Sequence, residues 1–398
     1  MKQSDISLYI HWPFCLKKCP YCDFNSHVSE KVDSKIWKES YLKELDFIAK
    51  HTDYTTVRSV FFGGGTPSLM DPELIADILQ AVRMHWKLSE EAEITLEGNP
   101  TSIEAEKYAD FYRAGINRAS VGVQSFDDNE LKFLGRQHSA IEARKALDKV
   151  ASWFSNVSFD LIYALPGQSS EKWHKALAEA LNYATPHLSL YQLTIEKGTP
   201  FYKLHREKEI ILPDEDIQAD MYQITSELTA KHGLQAYEVS NYALPGMESQ
   251  HNLAYWRYQD YIGIGPGAHG RVHSSQPIMQ IGANENIATM TIHNPEKWLK
   301  SVQENGHGFS SVNALSMEDS LTESVMMGMR TKEGLQNATL QHISGRNYQE
   351  LFLPSVLENL QNAGLVSCHK TIIRTTEKGR LLLGQITFKL IDSMCLNQ

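Results

Sequence analysis

Short β-rich runs alternate with amphipathic helical stretches through the first half of this 398-residue chain. Six candidate strands are Ser7–Trp12, Ser59–Gly64, Glu93–Gly98, Arg118–Gln124, Val157–Ala164 and His187–Ile195. Between them lie helical segments at Ser34–Lys50, Pro72–Trp86, Ile103–Ala114, Ala140–Trp153 and Glu171–Tyr183, the second opened by the cap-and-proline pair Asp71-Pro72. Five strand–helix repeats closed by a sixth strand imply an α/β fold with a parallel sheet, since parallel neighbours need a crossover and the helices supply it. Pattern alone leaves a doubly wound sheet and a partial barrel both open.

The length calls for a large domain plus a smaller one. Positions 196–275 read as irregular and rich in Tyr, Gly and Pro, and Asn294–Lys300 reads as the start of a second domain. Beyond it the pattern predicts helices at Met317–Thr331 and Leu351–Ala363, a hairpin at Leu365–Thr376 and a helix at Glu377–Leu383, a winged-helix-like order. No basic recognition face accompanies it, so packing or a lid is the expected role. The net charge of −10 and the lack of a long Lys/Arg run point away from nucleic acid. No stretch is long and apolar enough to span a bilayer, and the N-terminus lacks a signal-peptide pattern. Five cysteines, an odd number gathered mostly at one end, argue against a disulfide scaffold and for a reducing, cytoplasmic setting.

Three of those cysteines, Cys15, Cys19 and Cys22, form C-x3-C-x2-C directly after the first strand. Structural metal sites take four protein ligands, so three close thiols suggest a centre open on one side. The spacing suits an iron–sulfur cluster with one free iron; zinc with His27 or His11 as a fourth ligand is the alternative. Phe61-Phe62-Gly63-Gly64-Gly65-Thr66-Pro67 ends the second strand, where glycines let backbone approach a ligand. Glu97, Gln124 and Asp160 sit at the ends of later strands, with Arg136 beyond Gln124, on the sheet edge where such folds gather their chemistry. Cys368 and Cys395 lie far apart and read as inert thiols.

Together these motifs resemble the radical S-adenosylmethionine superfamily, and within it the group of oxygen-independent coproporphyrinogen III dehydrogenases and HemW-type haem chaperones. The resemblance covers nearly the whole chain. It implies a partial (β/α)6 TIM-like barrel over 1–235, an irregular segment over 236–293 and a smaller C-terminal helical, winged-helix-like domain over 294–398. It further implies a [4Fe–4S] cluster on Cys15, Cys19 and Cys22, whose open iron chelates S-adenosylmethionine. Tyr9, Tyr21, Gly64, Gly65, Thr66, Glu97, Gln124, Arg136 and Asp160 occupy the family's cofactor-contacting positions.

Two features separate the members. The dehydrogenases carry a fourth cysteine two positions after the third, where this chain has Phe24, and they begin with an N-terminal extension before the first strand. Gln250-His251-Asn252-Leu253-Ala254-Tyr255-Trp256 resembles the H-N-x-x-Y-W motif of the chaperones, with Tyr237–Tyr242 before it. A neutral imidazole is a good axial ligand for haem iron, which makes His251 the candidate haem ligand; a hydrogen-bonded histidine in an aromatic core is the other reading. Gly263–Gly270 is a poor dinucleotide loop, read instead as tight backbone near the cofactor face with His269 beside it. The resemblance favours a haem chaperone delivering to acceptor haem proteins, respiratory and membrane-bound ones included, with radical decarboxylation of porphyrinogen propionates as the alternative. A homodimer and peripheral membrane association stay open.

Overall fold

Strand Asp5–Trp12 alternates between two environments in the computed structural model, which describes residues 5–29, 32–274, 278, 282 and 285–396. Trp12 packs edge-on against Trp37 of helix Ser34–Lys50, while Ser7 and Tyr9 point to the other face, Ser7 accepting from Ser59 and Tyr9 stacking near Phe61. This period of two gives a parallel sheet an apolar side beneath helices and a polar interior. The six parallel barrel strands are Asp5–Trp12, Thr56–Gly64, Lys87–Gly98, Arg118–Gln124, Asn156–Tyr163 and His187–Gln192. They pair in chain order. With no reversal of order there is no switch point, which selects the partial barrel over the doubly wound sheet.

The helices expected between these strands all form, at Ser34–Lys50, Pro72–His85, Ser102–Ala114, Ala140–Ala151 and Ser170–Leu181. Each has a capping side chain, from Asp33, Asp71, Thr101, Ser139 and Ser169, satisfying N–H groups that a helix start leaves unpaired.

The stretch expected to be irregular is not. It holds helices Pro200–Arg206, Glu215–Lys231 and Gln250–Trp256, and strands that extend the sheet at both edges. Asn241–Ala243 pairs antiparallel with the sixth barrel strand and Gln235–Ala236 with it in turn. On the other edge Tyr261–Ile264 pairs parallel to the first strand, making a seventh parallel strand, and His269–Ser274, Glu285–Thr291 and Phe309–Ala314 continue antiparallel. The boundary expected at 294 therefore moves. Helix Pro295–Asn305 packs on helix Ser34–Lys50 through Trp298 and Trp37 (ring centres 5.3 Å apart), and the main sheet runs on to Ala314.

After Ala314 a separate apolar cluster begins at Leu321 and includes Val325, Leu340, Leu360, Ile373 and Leu390. It covers a three-stranded sheet of Leu335–Gln336, Ile372–Thr375 and Val366–His369, the last two forming the expected hairpin within a winged-helix-like unit. No helix among the described residues is long and apolar enough to cross a membrane.

Trp298 is fully buried, and its indole N–H donates to Glu44 Oε1 at 3.1 Å. Glu44 also accepts from Gly265 N (2.8 Å) and Gly308 N (2.7 Å), so one carboxylate joins the first helix to both loops of the sheet extension. Trp298→Ala removes the wall of that joint, and large-to-small core changes of this kind cost about 3–5 kcal/mol. Urea unfolding of the variant is expected to show that loss, and a shift under about 1 kcal/mol would mean that the extension is not part of the main core.

Candidate functional site: an open cleft at the strand C-termini

The cysteine loop is built by backbone before any ligand is considered. Phe14–Cys15 and His27–Val28 form a short parallel bridge that closes the loop on itself. His27 N donates to Pro13 O (2.7 Å) and Cys22 N to Cys19 O (3.1 Å), and Phe201 N holds Pro20 O (3.1 Å). Gly65 N and Thr66 N donate to Trp12 O and Phe14 O at 2.7 and 2.9 Å, drawing the glycine run against the loop. A Cβ on Gly65 would lie 2.7 Å from the Phe14 carbonyl oxygen, so only glycine permits this approach.

The three thiols are free, Cys15 buried and Cys19 and Cys22 half-buried. Burial pushes the Cys15 and Cys22 thiols up. Thr66 Oγ1 donates to Cys15 Sγ (3.3 Å) and Arg136 Nη1 to Cys19 Sγ (3.6 Å), contacts that favour thiolate. They face a cleft of about 410 Å³. Eight of the nine residues expected to contact the cofactor line it: Tyr21, Gly64, Gly65, Thr66, Glu97, Gln124, Arg136 and Asp160. Tyr9 does not. It lines the neighbouring opening, with its hydroxyl 3.1 Å from His11 Nδ1.

Arg136 organises one wall. Its Nη2 donates to Gly122 O at 2.8 Å and to Asn99 Oδ1, and Nη1 reaches Tyr21 OH at 3.5 Å, while the buried Nε has no hydrogen-bond partner among the described residues. Asn99 also donates to Thr66 Oγ1 (3.3 Å), tying three loops together. Sequence reasoning passed over Asn99, although Gly98-Asn99-Pro100 at a strand end signals a chain that turns where a polar side chain can serve. Gln124 holds φ at +72°, a left-handed conformation that costs a non-glycine residue roughly 1–3 kcal/mol and is typical of ligand sites.

The donor set discriminates between the two metal readings. Among the described residues, no group of three or more His, Cys, Asp or Glu side chains converges as a single metal ion requires. His11, offered as zinc's fourth ligand, has both ring nitrogens engaged, by Tyr9 OH and by Asn25 O (2.9 Å). His27 Nε2 bonds Asn25 Oδ1 (3.1 Å). Three thiols that share a cleft without meeting at one point fit a multinuclear cluster, in which each sulfur takes a different iron. The buried Arg136 Nε and the close-approach glycines suit a polar ligand on the open side.

His251, the candidate haem ligand, stands elsewhere, in a core position. Helix Gln250–Trp256 plugs the barrel interior, and His251 is 1 % exposed. Its Nδ1 pairs with Ser59 Oγ at 2.9 Å and its Nε2 with Tyr255 OH at 2.7 Å, while the ring stacks 4.9 Å from Phe61. Burial, aided by Arg118, lowers its pKa to about 3, so it is neutral but has no nitrogen to spare. Trp256, at the end of the same motif, carries the Arg330 guanidinium 4.7 Å above its ring. Arg330 also pairs with buried Glu238 (3.1 Å). The motif therefore links the barrel interior to the C-terminal unit.

Residues 9–180 match the radical SAM superfamily and residues 315–382 the HemN C-terminal domain. The chain is 38% identical over 385 residues to the mitochondrial radical S-adenosyl methionine domain-containing protein 1 of Danio rerio, covering 96% of this chain and 86% of that one. It is 45% identical over 275 residues to the heme chaperone HemW of Escherichia coli (strain K12), covering 68% and 71%, and 31% identical over 382 residues to that of Bacillus subtilis (strain 168), covering 96% and 97%. This chain belongs to the HemW-type branch of the radical S-adenosylmethionine superfamily. Coproporphyrinogen III oxidase (HemN) of Escherichia coli superposes with a TM-score of 0.78 over 97% of this chain and 90% of that one, at 22% identity, which speaks for the shared fold. Superfamily membership implies a [4Fe–4S] cluster and S-adenosylmethionine as cofactors.

In the cleft wall, burial and the nearby Asp160 charge hold the Glu97 carboxyl up at about 8, and burial holds Asp160 up at about 6. In the fold Glu97 keeps its proton at neutral pH; in the unfolded chain it loses it near 4.5. The folded state thus binds the extra proton between those values, so this stabilisation is complete below about pH 4.5 and is lost as pH rises to about 8. Thermal unfolding of the cluster-free protein is expected to show a falling midpoint across that window, and Glu97→Gln should flatten it. An equally steep fall in the variant would refute the assignment.

Proposed function

We propose that this protein is a haem chaperone: it binds haem and passes it to acceptor haem proteins, with a [4Fe–4S] cluster on Cys15, Cys19 and Cys22 and S-adenosylmethionine in the adjoining cleft. The observation that carries the cofactor part is the convergence of three free thiols, the glycine run and Arg136 on one opening. When bound, the cluster and S-adenosylmethionine supply one-electron chemistry, or a liganded state that governs conformation and transfer. The chain's own part is positional. Gly64 and Gly65 leave room for the ligand's polar end, Thr66 and Arg136 steady the sulfurs, and Tyr21, Glu97, Gln124 and Asp160 line the remaining wall.

The haem part draws on the names of the HemW relatives and on the wide aromatic opening beside the cleft. Phe24, at the position of the dehydrogenases' fourth cysteine, is 58% exposed and lines both openings, which supports carriage over decarboxylation. The acceptors we infer are haem proteins, membrane-bound respiratory enzymes among them, reached by a cytoplasmic protein that docks transiently or as a homodimer.

Anaerobic reconstitution should give the broad visible absorbance of a four-iron cluster, and each of Cys15→Ala, Cys19→Ala and Cys22→Ala should abolish it. A colourless, zinc-loaded protein would overturn the cofactor assignment. Arg136→Ala should weaken S-adenosylmethionine binding at least tenfold, about 1.4 kcal/mol, by calorimetry. Titration with ferric haem should give a Soret shift of a ligated iron; no shift would remove the chaperone reading, and conversion of coproporphyrinogen III to protoporphyrinogen IX would replace it with the enzyme.

A further inference from the structure

His251 can bind a metal only by giving up one of its two hydrogen bonds, and the two are not alike. Ser59 donates its single hydroxyl proton to Ser7 Oγ at 2.9 Å. Toward His251 it can therefore only accept, so the 2.9 Å contact at Nδ1 is an N–H donating to Ser59 Oγ. The ring is neutral and carries one proton, which leaves Nε2 with its lone pair, accepting from the Tyr255 hydroxyl at 2.7 Å. A ligating imidazole is set up in the same way, its second nitrogen donating to an orienting partner. Here a phenol stands where the metal would.

A second cleft, about 490 Å³, opens beside the first, and Phe24, Gly64 and Glu97 line both. Its aromatic wall of Trp256, Tyr258 and Tyr261 suits a planar macrocycle. His251 lines a smaller inner cavity of about 150 Å³, and Tyr255, half-buried and one helical turn further on, is in the wall of both spaces. The other end of this helix is pinned, since Ser249 Oγ and His251 N both donate to Glu93 Oε1 at 3.2 Å. Uncapping Nε2 therefore takes the turn of one side chain and no movement of the helix.

We propose that Tyr255 is a displaceable cap on the haem ligand: haem iron entering from the second cleft takes Nε2 of His251 from the Tyr255 hydroxyl, while Ser59 and Ser7 hold the proton on Nδ1. The inference rests on the haem-binding reading above and adds how its ligand is kept closed and set free. No proton changes hands, because the phenol keeps its own and the lone pair passes from a hydrogen bond to an iron–nitrogen bond. Burial, with Tyr261, Tyr9 and Glu97 close by, pushes the Tyr255 phenol up, so it remains a donor. On release the returning hydroxyl closes the imidazole again. The cap also selects its cargo: a metal-free porphyrin offers Nε2 nothing in exchange and leaves the Tyr255 bond intact.

The test is anaerobic titration of the full-length chain with ferric haem in wild type, Tyr255→Phe and Ser59→Ala, each matched for folding by circular dichroism. Tyr255→Phe should bind about fivefold more tightly, the worth of one neutral hydrogen bond, and keep an imidazole-ligated Soret band. Ser59→Ala should bind more weakly by a similar factor. Metal-free protoporphyrin IX should gain nothing from Tyr255→Phe. In the haem-free protein, NMR of isotope-labelled histidine rings, assigned with His251→Gln, should find the proton on Nδ1, and Tyr255→Phe should shift Nε2. Equal or weaker haem binding by Tyr255→Phe, an equal gain for the metal-free porphyrin, or a proton on Nε2 overturns the cap while leaving the chaperone reading in place. A wild type that binds no haem overturns both.

Discussion

The parallel pairing of strand Asp5–Trp12 on both its edges is the constraint from which the rest of the molecule follows. On one side it hydrogen-bonds to Thr56–Gly64, the start of the barrel, and on the other to Tyr261–Ile264, the start of the extension. Register on a two-residue period decides everything attached to it: a slip by one would turn Tyr9 and His11 out among the helices and bring Leu8 and Ile10 into the polar interior. Because the strand ends at Trp12, the thiols emerge at the barrel's open rim, beside the glycine run that ends the neighbouring strand.

The interior is unusually polar for a buried sheet face, and its groups answer one another. Ser7, Ser59 and His251 form one hydrogen-bonded column, and Ser158, His187 and Tyr237 another. Arg118 is buried among them, its Nε ion-paired with Glu93 Oε2 at 3.7 Å and without a hydrogen-bond partner among the described residues. Such networks are costly if broken and favour a single packing arrangement. They form a stiff floor beneath the cofactor cleft, and helix Gln250–Trp256 closes that floor from below.

The first half of the chain was legible because each of its elements carries a local signal. Ser34–Lys50 is bounded by Asp33, whose carboxylate caps Lys35 N and Ile36 N, and Arg118–Gln124 alternates small and apolar residues between turns. The middle was not legible for a physical reason. Helix Glu215–Lys231 buries only Met221, Thr225 and Thr229 and makes no side-chain cap at Asp214, so no apolar stripe marks it. Strands Gln235–Ala236 and Asn241–Ala243 are too short to show a period, and their pairing is set by the edge they meet. The cluster loop could be read because thiol spacing is covalent and local. The partners of His251 could not, since they are whatever the fold brings to its two nitrogens, and Ser59 lies 192 positions away.

Asn25 shows what that long-range dependence means for how the protein is made. Its side chain is held by the carbonyls of Pro266 and His293, 241 and 268 positions downstream. The loop that carries the thiols therefore takes two of its anchors from segments far along the chain, beside the sheet extension. Local hydrogen bonds, Cys22 N to Cys19 O and His27 N to Pro13 O, shape the loop itself, and the distant carbonyls fix where it sits. The native placement of the three thiols is therefore a property of the folded whole, and a change in the remote extension can displace them without touching the cysteine loop.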